Sequence, residues 1–206
     1  MSGPLQGFGQ LWQKTFILRL SGLDVTPQEV VKTWKENVPR FHAKENRFYP
    51  SPGGIKPGEV LLINAMTPGG PVSTGMLVLY VDDEAFTLMT PEGHPESGWV
   101  TFSAYEQDGA TVAQVQTMAR ANDPIYELAF MALGSKLQDS IWESVLLTLG
   151  KHYGLEGFVQ AQKICLDPKR QWSRARNVIH NAQVRTILYA IAAPARWVGR
   201  IGQRKR

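Results

Sequence analysis

Apolar and polar residues alternate along residues 12–20, a pattern typical of a β-strand with one buried face. Phe16 and Leu18 lie in one phase of this alternation, and Arg19 lies in the other. Five further runs of β-type composition follow, at residues 59–66, 74–81, 85–90, 99–107 and 110–119. The runs are joined by short turns, such as Asp108–Gly109, and short turns join antiparallel neighbours. The pattern therefore predicts an antiparallel meander.

Two segments carry helical signals. Thr26, Pro27 and Glu29 form the pattern of a capping box with proline at the first helical position, and Pro39 ends this helix. Residues 123–124 (Asp-Pro) open a second, longer helix. Its apolar positions recur every four residues, at Ala129, Leu133, Leu137, Ile141, Val145, Leu149 and Tyr153.

The long helix is predicted to end at Gly154, and Gly134 within it marks a bend or a close approach to the sheet. The order of elements is strand, helix, five strands and long helix, which indicates an α+β domain. A sheet of this size buries one face, and the long helix is the element able to cover it. We therefore expect a curved antiparallel sheet around a long C-terminal helix.

Two stretches resemble a known superfamily. The first is Thr-Pro-Glu-Gly-His-Pro-Glu-Ser-Gly-Trp-Val-Thr-Phe at residues 90–102. The second is Met-Ala-Arg at 118–120 with Asn-Asp-Pro at 122–124 and the helix that follows. They resemble the helix-grip (SRPBCC) superfamily of START domains, birch-pollen allergens and polyketide cyclases. The closer similarity is to a bacterial and plant family of domains of unknown function.

The resemblance covers roughly residues 10–155. It implies a cavity between the sheet and the long helix that holds lipids, sterols, polyketides or other apolar ligands. We accordingly divide the chain into a flexible N-terminus (1–8), a helix-grip domain (9–155) and a basic C-terminal extension (156–206). The extension is predicted to contain an amphipathic helix at about 183–201.

Charge is distributed unevenly along the chain. Residues 1–162 contain 11 basic and 17 acidic residues, whereas residues 163–206 contain 11 basic residues and one acid, Asp167. An acidic body with a basic tail favours contact between the tail and an anionic surface. The cationic residues assigned to membrane or anion contact are Arg185, Arg196, Arg200, Arg204, Lys205 and Arg206.

The tail has two alternatives to membrane contact. Its apolar stripe, at helical spacing from Val184 to Val198, could instead pack on the body or on a second subunit. Binding of nucleic acid is the second alternative, but the acidic body and the absence of a recognition motif argue against it.

The segment 93–98 (Gly-His-Pro-Glu-Ser-Gly) has two interpretations. His94 and Glu96 could form an acid/base pair at the rim of a cavity, or the segment could be a shaped connection that His94 caps by hydrogen bonds. Arg120 also has two interpretations. It could face inward and bind a ligand carboxylate or phosphate, or it could pair with an acid such as Glu96 or Asp123.

The Asp-Gly turn fixes the register of the last hairpin. It predicts the pairs Trp99–Met118, Thr101–Gln116, Ser103–Gln114 and Tyr105–Val112 on one face. This face mixes aromatic and polar side chains, so it either lines a wet pocket or meets solvent. The candidate ligand-binding residues are His94, Glu96, Trp99, Tyr105, Gln116, Arg120, Tyr80 and Trp142.

Several classes of chemistry lack a signal in the sequence. One cysteine, Cys165, excludes an intramolecular disulfide, and the four histidines form no metal-binding pair. No phosphate-binding loop, dinucleotide fingerprint or nucleophile elbow is found, and we expect no cofactor. The N-terminus lacks a signal peptide and no apolar run is long enough to span a membrane, so we expect a cytoplasmic protein.

These observations favour a non-catalytic protein that binds an apolar or amphipathic small molecule, with peripheral association at a membrane surface as an extension of that function. One alternative is a cofactor-free cyclase or hydrolase that uses His94, Glu96 and Arg120. A second alternative is an interaction module whose core is filled and which has no ligand cavity.

Overall fold

The computed structural model of the chain describes residues 1–40, 46–67, 70–133 and 136–193. The strands β1 to β8 span Leu11–Arg19, Asn46–Pro50, Val60–Thr67, Gly70–Val81, Ala85–Met89, Glu96–Gln107, Ala110–Ala121 and Gln160–Asp167. The helices α1 to α4 span Pro27–Asn37, Pro124–Leu133, Lys136–His152 and Ala182–Ile191. Short 3-10 helices lie at Pro4–Gln6, Val38–Arg40 and Trp172–His180.

All eight strands form one antiparallel sheet in the order β2-β3-β4-β5-β6-β7-β1-β8. The predicted meander is confirmed in β3 to β7. Two edge strands were not predicted: β2 lies in a segment interpreted as a loop, and β8 lies in the segment assigned to the tail. The boundary predicted at residue 155 therefore falls within the sheet-forming part of the chain.

The sheet is curved and has an inner face, which α1 and α3 cover, and an outer face on the opposite side. The inner face carries large apolar side chains, and the rings of Phe86 and Phe102 stack with centroids 4.7 Å apart. Trp34 of α1 and Trp142 of α3 contact Phe102 edge-on from above. Burial of such rings supplies most of the stability of a core of this kind. The α+β helix-grip architecture expected from the sequence is thus confirmed.

The helices begin where the sequence predicts. Thr26 Oγ1 accepts a hydrogen bond from the Glu29 N–H, and the Glu29 carboxylate accepts one from the Thr26 N–H, which completes the capping box. The single long helix that was predicted is observed as α2 and α3, and residues 134–135 between them, including Gly134, lie outside the described residues. α3 packs against β1 and β7, and α2 contacts β7 and the 3-10 helix Trp172–His180.

Both ends of the described chain pack against the sheet. Segment 1–8 was predicted to be flexible, but Ser2 and Phe8 are buried, and the Phe8 N–H donates to the Ala121 carbonyl. Within the range predicted for an amphipathic helix, about 183–201, the described part contains α4, which ends at Ile191 and packs against β4. Residues 194–206, including Arg196, Arg200, Arg204, Lys205 and Arg206, lie outside the described residues.

Candidate functional site

A lysine–aspartate cluster (Lys14, Asp139 and Lys163) lies between the inner face of the sheet and α3. Lys14 on β1 is paired in register with Lys163 on β8, and Asp139 belongs to the first turn of α3. The Lys14 ammonium donates to Asp139 Oδ1 at 3.0 Å, and the Lys163 ammonium donates to Asp139 Oδ2. The Lys14 and Asp139 side chains are only 7% and 6% exposed. A charged group this deeply buried is uncommon and marks a candidate site.

The electrostatics of the cluster keep its carboxylate ionised. Burial of Asp139 raises its pKa, but hydrogen bonds from Lys163 and Lys14 outweigh burial and hold the pKa below its usual value. Two ammonium groups face this one carboxylate, so the cluster of three side chains carries a net positive charge. An anionic group of a ligand would compensate that charge.

The cluster has polar and aromatic neighbours on the same face. The buried Thr117 pairs in register with Lys14 and with Val100. Trp142 follows Asp139 by three residues, so both side chains lie on the same side of α3. The Trp142 indole N–H is buried and has no hydrogen-bond acceptor in the described part of the chain. Ammonium and indole donors therefore adjoin the aromatic wall around Phe102.

The predicted register of the β6–β7 hairpin is confirmed, and it places three of the predicted ligand-binding residues. Trp99, Tyr105 and Gln116 alternate with buried inner-face residues and so lie on the outer face. Gln116 Nε2 donates to Thr15 Oγ1 at 3.1 Å across this face. A fourth, Tyr80, is exposed, and its hydroxyl donates to Asp82. These four residues do not line the space between the sheet and α3, whereas Trp142 does.

The loop between β5 and β6 contains His94. The Glu96 N–H donates to His94 Nδ1 at 3.1 Å, so the ring caps its own loop. Burial lowers the pKa of His94 to about 4, which keeps the ring neutral at pH 7. Gly93 has a positive φ of 84° and approaches the backbone of His180, and the Ala182 N–H donates to the Gly93 carbonyl.

Arg120 is almost fully buried at the end of β7, on the outer face beside Ser97. Its guanidinium donates to the carbonyls of Gly9 and Lys169 and forms an ion pair with Asp167, not with Glu96 or Asp123. Neighbouring strand positions point to opposite faces, so Glu96, the residue before Ser97, lies on the face opposite to Arg120. The structure therefore does not bring His94, Glu96 and Arg120 to one pocket.

Two surface pockets are formed by described residues outside the sheet–helix space. One, of about 410 Å³, lies beside α1 and is bordered by Lys32 and Tyr153. The other, of about 450 Å³, lies between the N-terminus and the 3-10 helix Trp172–His180, and Arg174 and Arg176 border it.

Sequence reasoning missed the lysine–aspartate cluster and the arginine-lined pocket. Lys14 carried a signal, because it shares the inward phase of β1 with Phe16 and Leu18 and is the charged residue of that phase. Asp139 and Lys163 carried no such signal in the sequence, because they become neighbours only through the pairing of β8 with β1.

No protein-family model matches the chain, and no curated protein matches it by sequence. Solved structures do match. Protein KanY (ms6282) is 13% identical with a TM-score of 0.55 and covers 70% of this chain and 98% of its own. TTHA0849 from Thermus thermophilus is 16% identical with a TM-score of 0.52, at coverages of 68% and 96%. The di-domain ARO/CYC StfQ from the steffimycin biosynthetic pathway is 13% identical with a TM-score of 0.49, at coverages of 70% and 50%.

At these identities the likeness concerns the fold alone. The two matches with TM-scores above 0.5 agree with the observed architecture of an antiparallel sheet packed around α3. The chain therefore has the helix-grip fold.

Proposed function

We propose that the protein binds an amphipathic small molecule between the inner face of the sheet and α3. The anionic end of the ligand contacts Lys14 and Lys163, and its apolar body lies along the aromatic inner-face residues. The helix-grip fold supports a small-molecule ligand in this space, and the lysine–aspartate cluster specifies the chemistry of one end.

The observation that carries the proposal is the burial of the Lys14 ammonium on the inner face of the sheet, next to a second ammonium group and one carboxylate. Transfer of an ammonium group from water into an apolar interior costs several kcal/mol unless a partner compensates it. Asp139 compensates the buried Lys14 ammonium, and Lys163, the second ammonium group that contacts Asp139, is 38% exposed. A carboxylate or phosphate of a ligand would bring the charges of the cluster into balance.

The indole N–H of Trp142 also indicates that the polar end of the ligand lies at the lysine–aspartate cluster. A buried donor without an acceptor costs about 1–3 kcal/mol, and this donor lies one helical turn from Asp139. An acceptor oxygen of a ligand head group would satisfy it. Trp142 contacts the Phe102 ring, which stacks on Phe86, so the indole donor lies between the charged cluster and the apolar core.

The experiment is a titration with a fluorescent fatty-acid analogue that carries a free carboxylate. We expect saturable binding with one site, and we expect Lys14→Met to raise the dissociation constant by about tenfold, since a charge-assisted hydrogen bond contributes about 1.5–3 kcal/mol. The methyl ester of the same probe should bind both proteins alike. Arg19→Gln, on the same strand but exposed, is the matched control and should not change the affinity.

Two results would contradict the proposal. Absence of saturable binding favours an interaction module with a filled core. Equal affinity of the carboxylate probe for the native protein and Lys14→Met places the anionic group elsewhere.

A second proposed function is contact with an anionic membrane through α4. No helix in the described part of the chain has the length and hydropathy to cross a membrane, but Leu188, Tyr189 and Ile191 are exposed on α4, and Arg185 is exposed beside them. Exposed apolar residues flanked by cations are typical of interfacial helices. Vesicles containing phosphatidylglycerol should co-sediment the protein, less so at high salt, and Leu188→Ser should weaken binding. Retention by neutral vesicles alone would contradict this function.

A further inference from the structure

We propose that the 450 Å³ pocket between the N-terminal segment and the 3-10 helix Trp172–His180 binds a phosphomonoester group. We call it the arginine pocket, after Arg174 and Arg176 in its wall. None of its lining residues belongs to the lysine–aspartate cluster, and the proposal is independent of the function proposed above. Its volume is within the range of about 300–1,000 Å³ typical of small-molecule sites.

The walls of the arginine pocket are fixed by hydrogen bonds from three parts of the chain. Asn177 Nδ2 donates to the Gln6 carbonyl at 2.8 Å and to the Asn122 carbonyl at 2.9 Å. These bonds hold the 3-10 helix against the N-terminal segment and the end of β7. Ser2 is held in turn by Ser97 and by the Thr90 carbonyl. A site on walls held in this way is preorganised, which lowers the entropic cost of binding.

The loop before β6 closes the third side. A Cβ atom at Gly93 would overlap the carbonyl oxygen of His180, so this contact requires glycine. The Ala182 N–H donates to the Gly93 carbonyl at 2.8 Å and extends the contact. The segment 93–98, which the sequence singled out without assigning its role, thus positions His180 and the end of the 3-10 helix at the pocket.

The charge of the arginine pocket favours an anion. Neither the Arg174 nor the Arg176 guanidinium has an ion-pair partner among the described residues. Glu92 is the acid that borders the pocket, and it faces His180 Nε2 at 3.5 Å on the rim. Two neighbouring arginines are paired: Arg120 with Asp167 and Arg170 with Glu127.

A phosphomonoester fits this arrangement better than a carboxylate does. Two guanidinium groups present several N–H donors in fixed forks, which match the three terminal oxygens and the double charge of a phosphomonoester. The amide side chains of Gln6 and Asn177 and the apolar Ile179 border the remaining volume, where the organic part of a small phosphorylated molecule would lie.

The test is calorimetric titration of the purified full chain with glycerol 3-phosphate and with inorganic phosphate. We expect one site, and we expect Arg174→Gln with Arg176→Gln to weaken binding at least tenfold. Arg19→Gln, an exposed arginine of β1 that does not border the pocket, is the control and should bind as the native protein does. Thermal unfolding of each variant verifies that the fold is retained, and Arg176→Lys should retain part of the affinity because it keeps the charge.

Vesicles distinguish the two sources of a phosphomonoester. Binding of the soluble probes that the double variant loses supports a free metabolite. Stronger binding to phosphatidic acid vesicles than to phosphatidylglycerol vesicles supports a lipid head group if the double variant loses the difference and Arg19→Gln retains it. Binding to neither probe, or equal binding by the native protein and the double variant, overturns the proposal.

Discussion

Replacement of Asp139 by asparagine isolates the energetics of the lysine–aspartate cluster. The substitution keeps the shape of the side chain and removes the negative charge that faces Lys14 and Lys163. Lys163 is 38% exposed and can turn toward solvent, but Lys14 is buried and would lose the carboxylate that compensates its ammonium. Removal of one partner of a buried ion pair typically costs about 3–5 kcal/mol, a large share of the roughly 5–15 kcal/mol that stabilises an ordinary domain.

The assay is urea unfolding of the native protein and Asp139→Asn at pH 7, monitored by tryptophan fluorescence. Asp108→Asn is the matched control, because Asp108 pairs with Arg19 at 3.6 Å and is 79% exposed. Such exposed pairs contribute about 0–1 kcal/mol. The double variant Lys14→Met with Asp139→Asn should recover most of the lost stability, because the buried ammonium is then absent.

A loss of unfolding free energy in Asp139→Asn no larger than that in Asp108→Asn would refute this reasoning. That result would mean that the Lys14 ammonium does not depend on Asp139 for compensation in the folded protein, and the electrostatic basis for an anionic ligand would be lost.

The same structure makes three further predictions. Folding stability should fall as the pH drops below about 4, because the pKa of Asp139 is lower in the folded than in the unfolded protein. The stabilisation by the Asp139 carboxylate is present above its unfolded pKa of about 3.9 and is lost as the pH falls through its folded pKa. Acid unfolding curves of Asp139→Asn should lack this component. Gly93→Ala should lower the urea midpoint and speed proteolytic cleavage in the segment that follows residue 167. Gly109→Ala also places alanine at positive φ but has open space around it, so it should show only the smaller cost of backbone strain. Equal effects of the two substitutions would contradict the contact between Gly93 and His180. Truncation after Leu166 should lower the urea midpoint relative to truncation after residue 193, because Arg120 loses its ion pair with Asp167 and its hydrogen bond to the Lys169 carbonyl. Equal urea midpoints of the two truncated proteins would contradict this prediction.

Local signals made much of the fold predictable. Asp108 and Gly109 both adopt positive φ, as a two-residue hairpin turn requires, so the turn determined the register of β6 and β7 to the residue. The capping box of α1 was equally local. Where the structure depends on residues that are adjacent in sequence, the pattern was sufficient.

Contacts between distant residues were not predictable. β8 is an exposed edge strand whose polar and apolar residues do not alternate clearly, so it lacks the signal of a buried strand. Its position determines both the pairing of Arg120 with Asp167 and the proximity of Lys163 to Asp139. The sequence could propose an acid partner for Arg120, but Asp167 lies 47 residues away and becomes a neighbour through β8.

The outer-face candidates show a second limit. Trp99, Tyr105 and Gln116 were correctly placed together on one face, but sequence alternation does not reveal which face the helices cover when both carry aromatic residues. The opposite face carries the buried Val100, Phe102 and Val115 and forms the core.

Chemical-shift mapping of the ¹⁵N-labelled protein during titration with sodium laurate tests the proposed ligand site most directly. We predict that the largest changes occur at inner-face positions of the lysine–aspartate cluster and its neighbours, at Lys14, Thr117, Asp139 and the Trp142 indole N–H. Changes confined to the outer face around Trp99 and Met118, or no changes up to the solubility of laurate, would contradict the proposed site.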